Sequence, residues 1–343
     1  MNFSVRLKPS ERCFSVAEGQ TVLAAAAAAE IGLPQACKKG ICRTCIARVL
    51  EGEVTQKHTT LSSDAIKAGY ALLCQSVPST DLVIEARILP VMPKLDSIRA
   101  IVTDMQLLSH DVMRVALRLP PRQSLHFKAG QYIEIVLGDD VRRSYSLATV
   151  PKVEGNWSVE LHIRHCVGGR FTDRVFEGMK PREALTISGP MGTFFLREDS
   201  DKPIILVASG TGYAPVRSLL QHALEVASHR EIVLYWGGRA KADIYLAEEP
   251  IQWSAQYKNF RFIPVLSEPL VEDAWQGRTG FVHRAVMADF PDLSGVQVYA
   301  CGAPVMVEAA QHDFVKYCGL PDDEFYADAF LNESDLVKEK IEI

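Results

Sequence analysis

Residues 37–45 read CKKGICRTC, and a fourth cysteine, Cys74, follows after a gap of 28 residues. The spacing C-x4-C-x2-C-x28-C is typical of plant-type ferredoxins, in which four thiolates hold a [2Fe–2S] cluster. The loop also contains Gly40, which suits a tightly folded backbone because glycine tolerates unusual dihedral angles. The predicted metal ligands are Cys37, Cys42, Cys45 and Cys74.

A structural zinc site is the main alternative for these cysteines. Such sites favour a C-x2-C pair on both sides, and here only one such pair is present, with Cys74 standing alone. The spacing therefore favours the iron–sulfur cluster. Cys13 and Cys318 have no partner at ligand spacing, and we expect both to be small buried residues.

The bulk composition excludes several classes of protein. A chain of 343 residues suggests two or three domains, and 48% hydrophobic with 23% charged residues is typical of a soluble globular protein. The net charge of −5 argues against a nucleic-acid partner. No apolar run approaches the ~20 residues that span a bilayer, and the alanine-rich stretch 22–33 reads as a helix, not a signal peptide. We expect a cytoplasmic protein with reduced cysteines and no membrane association.

The chain falls into three sections of different texture. Residues 1–92 contain alternating strands and the alanine-rich helix, and PVMPKL (90–95) reads as a linker. Residues 97–200 contain short alternating strands separated by turns, which indicates an antiparallel sandwich or barrel. Residues 201–343 contain continuous apolar strands between helices, which indicates βαβ units and a mostly parallel sheet.

The middle section carries two stretches with the chemistry of a flavin site. In RRSYSLA (142–148), Arg143 could pair with a phosphate, Tyr145 could lie on an aromatic ring, and Ser146 could bond a ring nitrogen. In HCVGGRFT (165–172), a glycine pair precedes a helix start, where free N–H groups favour phosphate. Each stretch alone also fits a structural role, as a half-buried strand residue or a turn.

The third section carries a nucleotide motif. ASGTGYAPVRSLL (208–220) is a strand, a glycine-rich turn and a helix, the arrangement that seats a dinucleotide pyrophosphate. The pattern is GxGxxP instead of GxGxxG. Pro215 is acceptable there because the N–H groups of a first helical turn need no partner.

Taken in order, RRSYS, HIRHCVGGRFT, SGPMGTFF, ASGTGYAP and VYACGAPVM resemble the ferredoxin–NAD(P) reductase family. With the cysteines in front, the chain to about residue 330 resembles the ferredoxin-fused members that serve bacterial multicomponent oxygenases. The resemblance implies a multi-domain fold. An α+β plant-type ferredoxin (β-grasp) would span residues 1–92, an antiparallel β-barrel for FAD residues 97–200, and an α/β parallel-sheet NAD(P)H domain residues 201–343.

The resemblance also implies the site residues. Catalytic roles would fall to Ser146 at flavin N5, Cys301 beside the nicotinamide and Phe330 near the exposed flavin face, with Tyr326 as the structural alternative to Phe330. Gln131 and Tyr132 would support the sheet. The implied cofactor-binding residues are Arg143, Ser144, Tyr145, Ser146, His162, Gly168, Gly169, Thr172, Gly210, Thr211, Gly212, Pro215, Cys301 and Gly302.

The implied function is a reductase that passes electrons from NADH through FAD and the [2Fe–2S] cluster to a partner protein. That partner would be an oxygenase component, with a ferredoxin or a CDP-6-deoxyglucoseen dehydratase component as alternatives. NADPH stays open, since Arg239 or Lys241 could hold a 2′-phosphate that Asp243 would disfavour. A reading of a different class is a non-catalytic redox sensor on the same scaffold.

The basic residues around the cysteines form a further hypothesis. Lys38, Lys39 and Arg43 lie within or beside the predicted cluster loop in a chain that is acidic overall. They could form a docking collar for an acidic redox partner, because charge steers association. The alternative is an ordinary solvated basic face.

Overall fold

The computed structural model describes residues 2–35, 38, 40, 43–57, 59, 61, 63–91, 95–138, 141–227 and 229–330. The chain divides into two compact units. One contains the described residues up to Val91 together with residues 327–330, and the other runs from Met92 to Tyr326. Within the described residues, no helix is long and apolar enough to cross a membrane.

The first unit is a mixed β-sheet with one main helix. Its strands are β1 Asn2–Lys8, β2 Cys13–Ala17, β3 Ile46–Glu51, β4 Val54–Gln56, β5 Tyr70–Leu72, β6 Ser76–Pro78 and β7 Leu82–Glu85. Its helices are α1 Val22–Ala28 and α2 Ser63–Lys67. The sheet order is β2-β1-β7-β3-β5, with β1 and β7 parallel and the other described pairs antiparallel, and β4 and β6 form a separate ribbon.

Helix α1 is shorter than the alanine-rich stretch that predicted it. Thr21 caps its start by accepting a hydrogen bond from the amide of Ala24 at 3.3 Å. The helix ends at Ala28, and Glu30 already has a positive φ of 54°. The prediction that Cys13 is buried is wrong, because the alternation of β2 places it on the exposed face. Cys318 is buried, as expected.

The second unit begins with an antiparallel barrel. Its strands are β8 Leu95–Ser109, β9 Val112–Arg118, β10 Tyr132–Val136, β11 Arg142–Ser146, β12 Ser158–Arg164 and β13 Ala184–Met191, and helix α3 is Arg170–Glu177. The order is β11-β10-β13-β8-β9-β12. A bridge between Leu147 and Leu161 joins the end of β11 to β12 and closes the sheet. The strand alternation fills the interior with apolar side chains, which confirms the predicted barrel.

The α/β part follows. Its strands are β14 Ile204–Ser209, β15 Ile232–Gly238, β16 Phe260–Leu266, β17 Arg278–Thr279, β18 Gln297–Gly302 and β19 Phe325–Ala329. Its helices are α4 Tyr213–Val226, α5 Glu248–Gln256, α6 Val282–Asp289 and α7 Pro304–Cys318. The order is β17-β16-β15-β14-β18-β19, and β14 pairs in parallel with β15 and β18. This confirms the parallel-sheet prediction and brings the carboxyl ends of β14 and β18 to one edge, where such sheets bind ligands.

Candidate functional site

Strand β11 presents the predicted flavin residues along the edge of the barrel sheet. It pairs with β10 so that Ser146 lies opposite Tyr132 and Tyr145 opposite Ile133. Ser146 is buried, Arg143 and Tyr145 are half-buried, and Ser144 is exposed. The strand therefore places a cation at Arg143, an aromatic ring at Tyr145 and a buried hydroxyl at Ser146 within four residues, which is the set of groups that a phosphorylated aromatic cofactor needs.

Tyr145 is fixed against the start of helix α3. Its ring lies 5.4 Å from the ring of Phe171 in a tilted arrangement. Burial raises the pKa of its hydroxyl well above the usual value, Cys166 adds to this, and Arg143 opposes it. Tyr145 is therefore neutral at physiological pH.

The loop before α3 contains two glycines, so that part of its backbone carries no side chain. Gly168 has φ +80° with open space where a side chain would begin, whereas a Cβ on Gly169 would lie 2.5 Å from Thr172 Oγ1. The Thr172 hydroxyl donates to the carbonyl of Cys166 at 2.8 Å and accepts from the amide of Cys166 at 3.2 Å. A rigid turn thus leads into the amino end of α3, which fits the predicted phosphate cradle.

Gln131, expected from the sequence to support the sheet, forms two hydrogen bonds with the main chain. Its side chain accepts from the amide of Lys128 at 2.8 Å and donates to the carbonyl of Gly192 at 2.8 Å. These two bonds tie the start of β10 to the turn after β13. Gln131 therefore holds the sheet in place beneath the β11 edge.

His162 lies behind this surface, not on it. Its side chain has 0% exposure, and its two ring nitrogens lie 3.0 Å from the hydroxyl of Tyr245 and 3.0 Å from the carboxylate of Glu160. Both nitrogens are thus engaged by protein groups, and the side chain offers no surface to a ligand. We therefore assign His162 a supporting role instead of the cofactor contact that the sequence suggested.

The nucleotide turn joins β14 to α4 through residues 210–212. Gly212 has ordinary helical dihedrals (φ −57°), yet a Cβ there would lie 2.1 Å from the carbonyl oxygen of Cys301. Thr211 is buried, and Pro215 lies in the first turn of α4, where its missing N–H costs nothing. Glycine is therefore required at 212 for space instead of for its dihedral freedom.

Cys301 and Gly302 meet this turn from the end of β18. Gly302 has φ +139°, and a Cβ on it would lie 2.2 Å from Ser209 Oγ. That hydroxyl also accepts from the amide of Ala303 at 3.0 Å, while Cys301 is fully buried. Two turns of nearly bare backbone thus contact each other at the carboxyl edge, which fits the predicted nicotinamide site.

An aromatic stack supports the nucleotide turn from below. The rings of Tyr213 and Trp236 are stacked with centroids 3.7 Å apart, and Trp236 Nε1 donates to the carbonyl of Gly210 at 3.2 Å. Tyr245 packs edge-on against Trp236 at 5.1 Å. The stack fixes the height of the turn above the sheet.

The end of β15 bears on the choice between NADH and NADPH. Asp243 accepts hydrogen bonds from the amides of Arg239 and Ala240, at 2.7 Å and 3.1 Å. Asp273 accepts from the amide of Lys241 at 3.1 Å. Two carboxylates thus bind the main-chain amides of this segment, while the side chains of Arg239 and Lys241 are exposed.

Two of the four predicted cluster ligands lie within the described residues. Cys45 and Cys74 are both buried, and the amide of Leu73 donates to the carbonyl of Cys45 at 3.0 Å. Gln75 donates to the carbonyl of Lys38 at 3.3 Å and lies 3.8 Å from the sulfur of Cys74, which links that segment to the cysteine loop. Cys37 and Cys42 lie outside the described residues, as does Lys39.

The described part of the loop has the backbone that tight wrapping requires. Lys38, Gly40 and Arg43 all have positive φ, at 56°, 82° and 54°. Lys38 is exposed, Arg43 is half-buried and Gly40 is buried. Three described loop residues with positive φ, beside the two buried thiols of Cys45 and Cys74, fit the tight loop of a [2Fe–2S] site.

The two aromatic candidates near the C-terminus have different surroundings. Tyr326 stacks on Tyr299 at 4.8 Å, and its hydroxyl donates to Glu324 at 3.0 Å. The guanidinium of Arg197 lies 4.5 Å from the ring of Tyr326. Tyr326 is therefore a structural residue. Phe330 is half-buried just after β19, and its role stays a prediction.

Sequence reasoning missed the residues that join the barrel to the α/β part. Arg217 forms a bidentate ion pair with Glu249 and donates to the carbonyl of Ala148 at 2.9 Å. The Tyr245 hydroxyl lies 3.0 Å from Nδ1 of His162. These partners lie 32, 69 and 83 residues apart in sequence, and no short motif marks them.

The comparisons with known proteins agree with this geometry. Residues 5–79 match the "2Fe-2S iron-sulfur cluster binding domain", residues 99–196 the "Oxidoreductase FAD-binding domain" and residues 206–312 the "Oxidoreductase NAD-binding domain". The chain is 37% identical over 341 residues to the CDP-6-deoxy-L-threo-D-glycero-4-hexulose-3-dehydrase reductase of Yersinia pestis, covering 96% of this chain and 99% of that protein. It is 34% identical over 323 residues to DmpP, the reductase component of phenol 2-monooxygenase from Pseudomonas sp. (strain CF600), covering 90% and 89%.

Among solved structures, the chain is similar to the Amycolatopsis cytochrome P450 reductase GcoB. The TM-score is 0.71 with 33% identity, covering 96% of this chain and 98% of that one. It is also similar to the ferredoxin reductase in carbazole 1,9a-dioxygenase, with a TM-score of 0.67 and 26% identity, covering 96% and 99%.

Proposed function

The chain belongs to the ferredoxin-fused reductases of the ferredoxin–NAD(P) reductase family, and from that premise we propose that it supplies electrons from NADH to a separate redox protein. The observation that carries the proposal is the placement of β11 and the two bare turns of β14 and β18 in one compact unit. When bound, FAD converts the electron pair of NADH into the single electrons that a [2Fe–2S] cluster accepts and passes on. The protein groups bind and orient the cofactors. None of them has to act as an acid, a base or a nucleophile.

Residues of β11 and α3 would hold FAD. Arg143 would face the pyrophosphate together with the amide groups of Gly168 and Gly169, and the ring of Tyr145 would cover the flavin. The buried Ser146 hydroxyl would bond the flavin N5. Thr172 keeps the turn in one shape. The main-chain amides that would bind the phosphate then need no rearrangement when the cofactor binds.

The turn 210–212 would hold the dinucleotide, with the nicotinamide over Cys301 and Gly302. Gly212 and Gly302 let these two turns lie directly against each other, so that the dinucleotide would meet closely packed backbone at this edge. The carboxylates of Asp243, which follows β15, and Asp273, which follows β16, support NADH over NADPH, since a 2′-phosphate would meet like charge there.

The four predicted thiolates would hold the cluster, and the basic residues beside them would meet the acceptor. Lys38 is exposed, which supports the docking collar of Lys38, Lys39 and Arg43. The acceptor we propose is an oxygenase component. A deoxysugar dehydratase is the second candidate, supported by the somewhat higher identity to the Yersinia reductase, 37% against 34%. The proposed compartment is the cytoplasm, in keeping with the exposed thiol of Cys13.

Anaerobic purification followed by a visible spectrum, an iron assay and a flavin assay tests the cofactor content. We expect flavin and iron–sulfur absorption together, with about two irons and one FAD per chain. NADH should bleach the flavin faster than NADPH at equal concentration. Zinc in place of iron would contradict the cluster, and a protein that NADH does not reduce would favour the redox sensor.

A further inference from the structure

Helix α4 begins at the nucleotide turn and reaches back to the barrel. Arg217 Nη1 donates to the carbonyl of Ala148 at 2.9 Å, and Ser218 Oγ donates to the carbonyl of Thr149 at 2.5 Å. Ala148 and Thr149 follow the flavin strand directly, two and three residues after Ser146. Two successive residues of one helix therefore bond two successive carbonyls beside the proposed flavin site.

Ala148 and Thr149 are also bonded on the barrel side, by the main chain of Glu160. The amide of Ala148 donates to the carbonyl of Glu160 at 2.9 Å, and the amide of Glu160 donates to Thr149 Oγ1 at 2.7 Å. The segment after Ser146 is thus bonded to β12 on one side and to α4 on the other. A displacement of α4 would therefore displace this segment as well.

Arg217 is itself locked in place. Its Nε and Nη2 donate to the two oxygens of Glu249, at 2.6 Å and 2.8 Å, and its Nη1 lies 3.7 Å from Glu160. Burial opposes the charge, but these carboxylates outweigh it and raise the pKa of Arg217, so the cation persists. A bidentate pair fixes the plane of the guanidinium as well as its distance.

A second connection runs through Tyr245 and His162. Burial lowers the pKa of His162, although Glu160 works against it, and burial raises the pKa of Tyr245 well above the usual value. The hydrogen bond from His162 and nearby cations outweigh burial and lower the pKa of Glu160, so its ionised carboxylate can only accept. His162 Nε2 therefore donates to Glu160, and Nδ1 accepts from the Tyr245 hydroxyl.

We propose that Arg217, Ser218, Tyr245 and His162 form a clamp, here called the α4 clamp, that fixes the nucleotide turn at one distance and angle from the flavin strand. Arg217 and Tyr245 are then positioning residues for electron transfer from NADH to FAD, and this inference rests on the proposed function. None of the four side chains has to touch a cofactor. Arg217 and Ser218 act on the backbone that follows the flavin strand, and Tyr245 acts through His162.

Stability alone does not account for this arrangement. A buried ion pair contributes little net stability compared with apolar side chains of similar volume, because both charges lose water. Polar pairs instead fix the distance and angle between the elements that they join. A misplacement of ~1 Å at the reacting groups can cost about 100-fold in rate. The clamp places its polar groups between the nucleotide turn and the flavin strand, where the relative geometry of the two cofactors would be set.

The test uses the full chain with its cofactors and three variants. Arg217→Met with Glu249→Gln removes both partners of the ion pair together, so that no buried charge is left alone. Tyr245→Phe removes only one hydroxyl. The matched control is His222→Ala, which lies on the same helix and loses a 3.1 Å contact with Glu198 that does not involve the flavin strand.

Two measurements are made on each protein. Hydrogen–deuterium exchange reports the protection of the amides at residues 147–150 and in α4, and stopped-flow absorbance reports flavin reduction at saturating NADH. For the double variant and for Tyr245→Phe we expect faster exchange at residues 147–150 and flavin reduction slowed about 10- to 100-fold. Single-electron transfer from photoreduced flavin to the cluster should stay within about twofold of the wild-type rate, as should both measurements on His222→Ala.

Unchanged exchange at residues 147–150 in the double variant would overturn the clamp, because the bonds would then not hold the segment. Faster exchange with unchanged flavin reduction would also overturn it, since the bonds would then be structural only. Equal slowing in His222→Ala would do the same. A wild-type protein that NADH does not reduce would instead contradict the proposed function. The exchange data would still test whether the clamp holds residues 147–150.

Discussion

At the scale of single residues, the site depends on glycines that are needed for closeness instead of flexibility. Gly212 has helical dihedrals that any residue could adopt, but the main chain of Cys301 lies where its side chain would begin. Gly302 combines close approach to Ser209 with a φ of +139°. The two turns can therefore meet only as bare backbone.

Gly212→Ala should test this contact directly. The added Cβ would lie 2.1 Å from a backbone oxygen that cannot rotate away, so one of the two turns must shift. We expect a loss of about 1–3 kcal/mol in the free energy of unfolding and a rise in the Kd for NAD+.

The control for that substitution is Gly295→Ala. It lies in the same α/β part, and nothing is found within 4 Å of the added Cβ. Its NAD+ affinity and stability should match the wild type. A Gly212→Ala protein that behaves like this control would mean that the two turns are not in close contact.

The buried His162 predicts the direction of the pH dependence. Burial lowers its pKa in the folded protein below the usual 6.5, while Glu160, Arg217 and Glu249 are the charged groups facing it. Below about pH 6.5 the unfolded chain therefore binds a proton that the folded chain refuses, and stability falls as the pH falls. Glu160, whose pKa is lowered from 4.5, adds a loss in the same direction at more acidic pH.

His162→Gln should reduce this acid sensitivity below about pH 6.5, where one proton contributes at most about 1.4 kcal/mol per pH unit. The measurement is the apparent unfolding midpoint as a function of pH. The same substitution at His229, which is 60% exposed, controls for the loss of any histidine. An unchanged slope in His162→Gln would show that His162 is not the group responsible.

At the scale of elements, the barrel and the nucleotide sheet follow from hydrophobic periodicity. Alternating segments became the antiparallel strands β8–β13, and continuous apolar segments became β14, β15 and β18. The three-residue strands β4, β5 and β6 escaped prediction, because segments this short carry no periodic signal.

The candidate site divides in the same way. Gly168–Gly169 and Gly210–Gly212 are local in sequence, so their turns could be predicted from motifs. The Arg217–Glu249 and Tyr245–His162 contacts join residues 32 and 83 positions apart, which only the fold brings together. The sequence offered one signal for these contacts. Glu160 and His162 are two residues apart on a strand, so their side chains lie on the same face and can contact each other.

Helix α3 and the turn before it give a prediction about FAD. Thr172→Ala removes the hydroxyl that bonds both main-chain groups of Cys166, so the glycine turn should lose its fixed shape. At about 1 kcal/mol for the lost bonds, the Kd for FAD should rise roughly five- to tenfold in reconstitution of the apoprotein. Thr172→Ser keeps the hydroxyl and should bind FAD nearly as the wild type does. Equal loss of affinity in both variants would contradict this role for the hydroxyl.

At the scale of the whole molecule, a net charge of −5 coexists with basic residues on the described cluster loop. Reversal of Lys38, Lys39 and Arg43 to Glu should slow electron transfer to the acidic partner and weaken its dependence on salt. NADH–ferricyanide activity should stay nearly unchanged, because that assay can draw electrons from the flavin.

Arg6, Arg12 and Lys67 provide the control for charge reversal, because all three are exposed cations of the same unit. Their reversal changes the net charge equally and should leave partner turnover closer to the wild-type rate. If both triple variants slowed turnover to the same extent, the effect would belong to net charge and the docking collar would be wrong.

We expect one chain to carry electrons from NADH through FAD to the [2Fe–2S] cluster. An anaerobic titration with NADH, followed by visible absorbance and electron paramagnetic resonance, tests this path. FAD takes two electrons and the cluster one, so the end point should lie at about 1.5 NADH per chain, with the signal of a reduced [2Fe–2S] cluster. An end point at about 1 NADH per chain, with the flavin bleached and no cluster signal, would contradict this path.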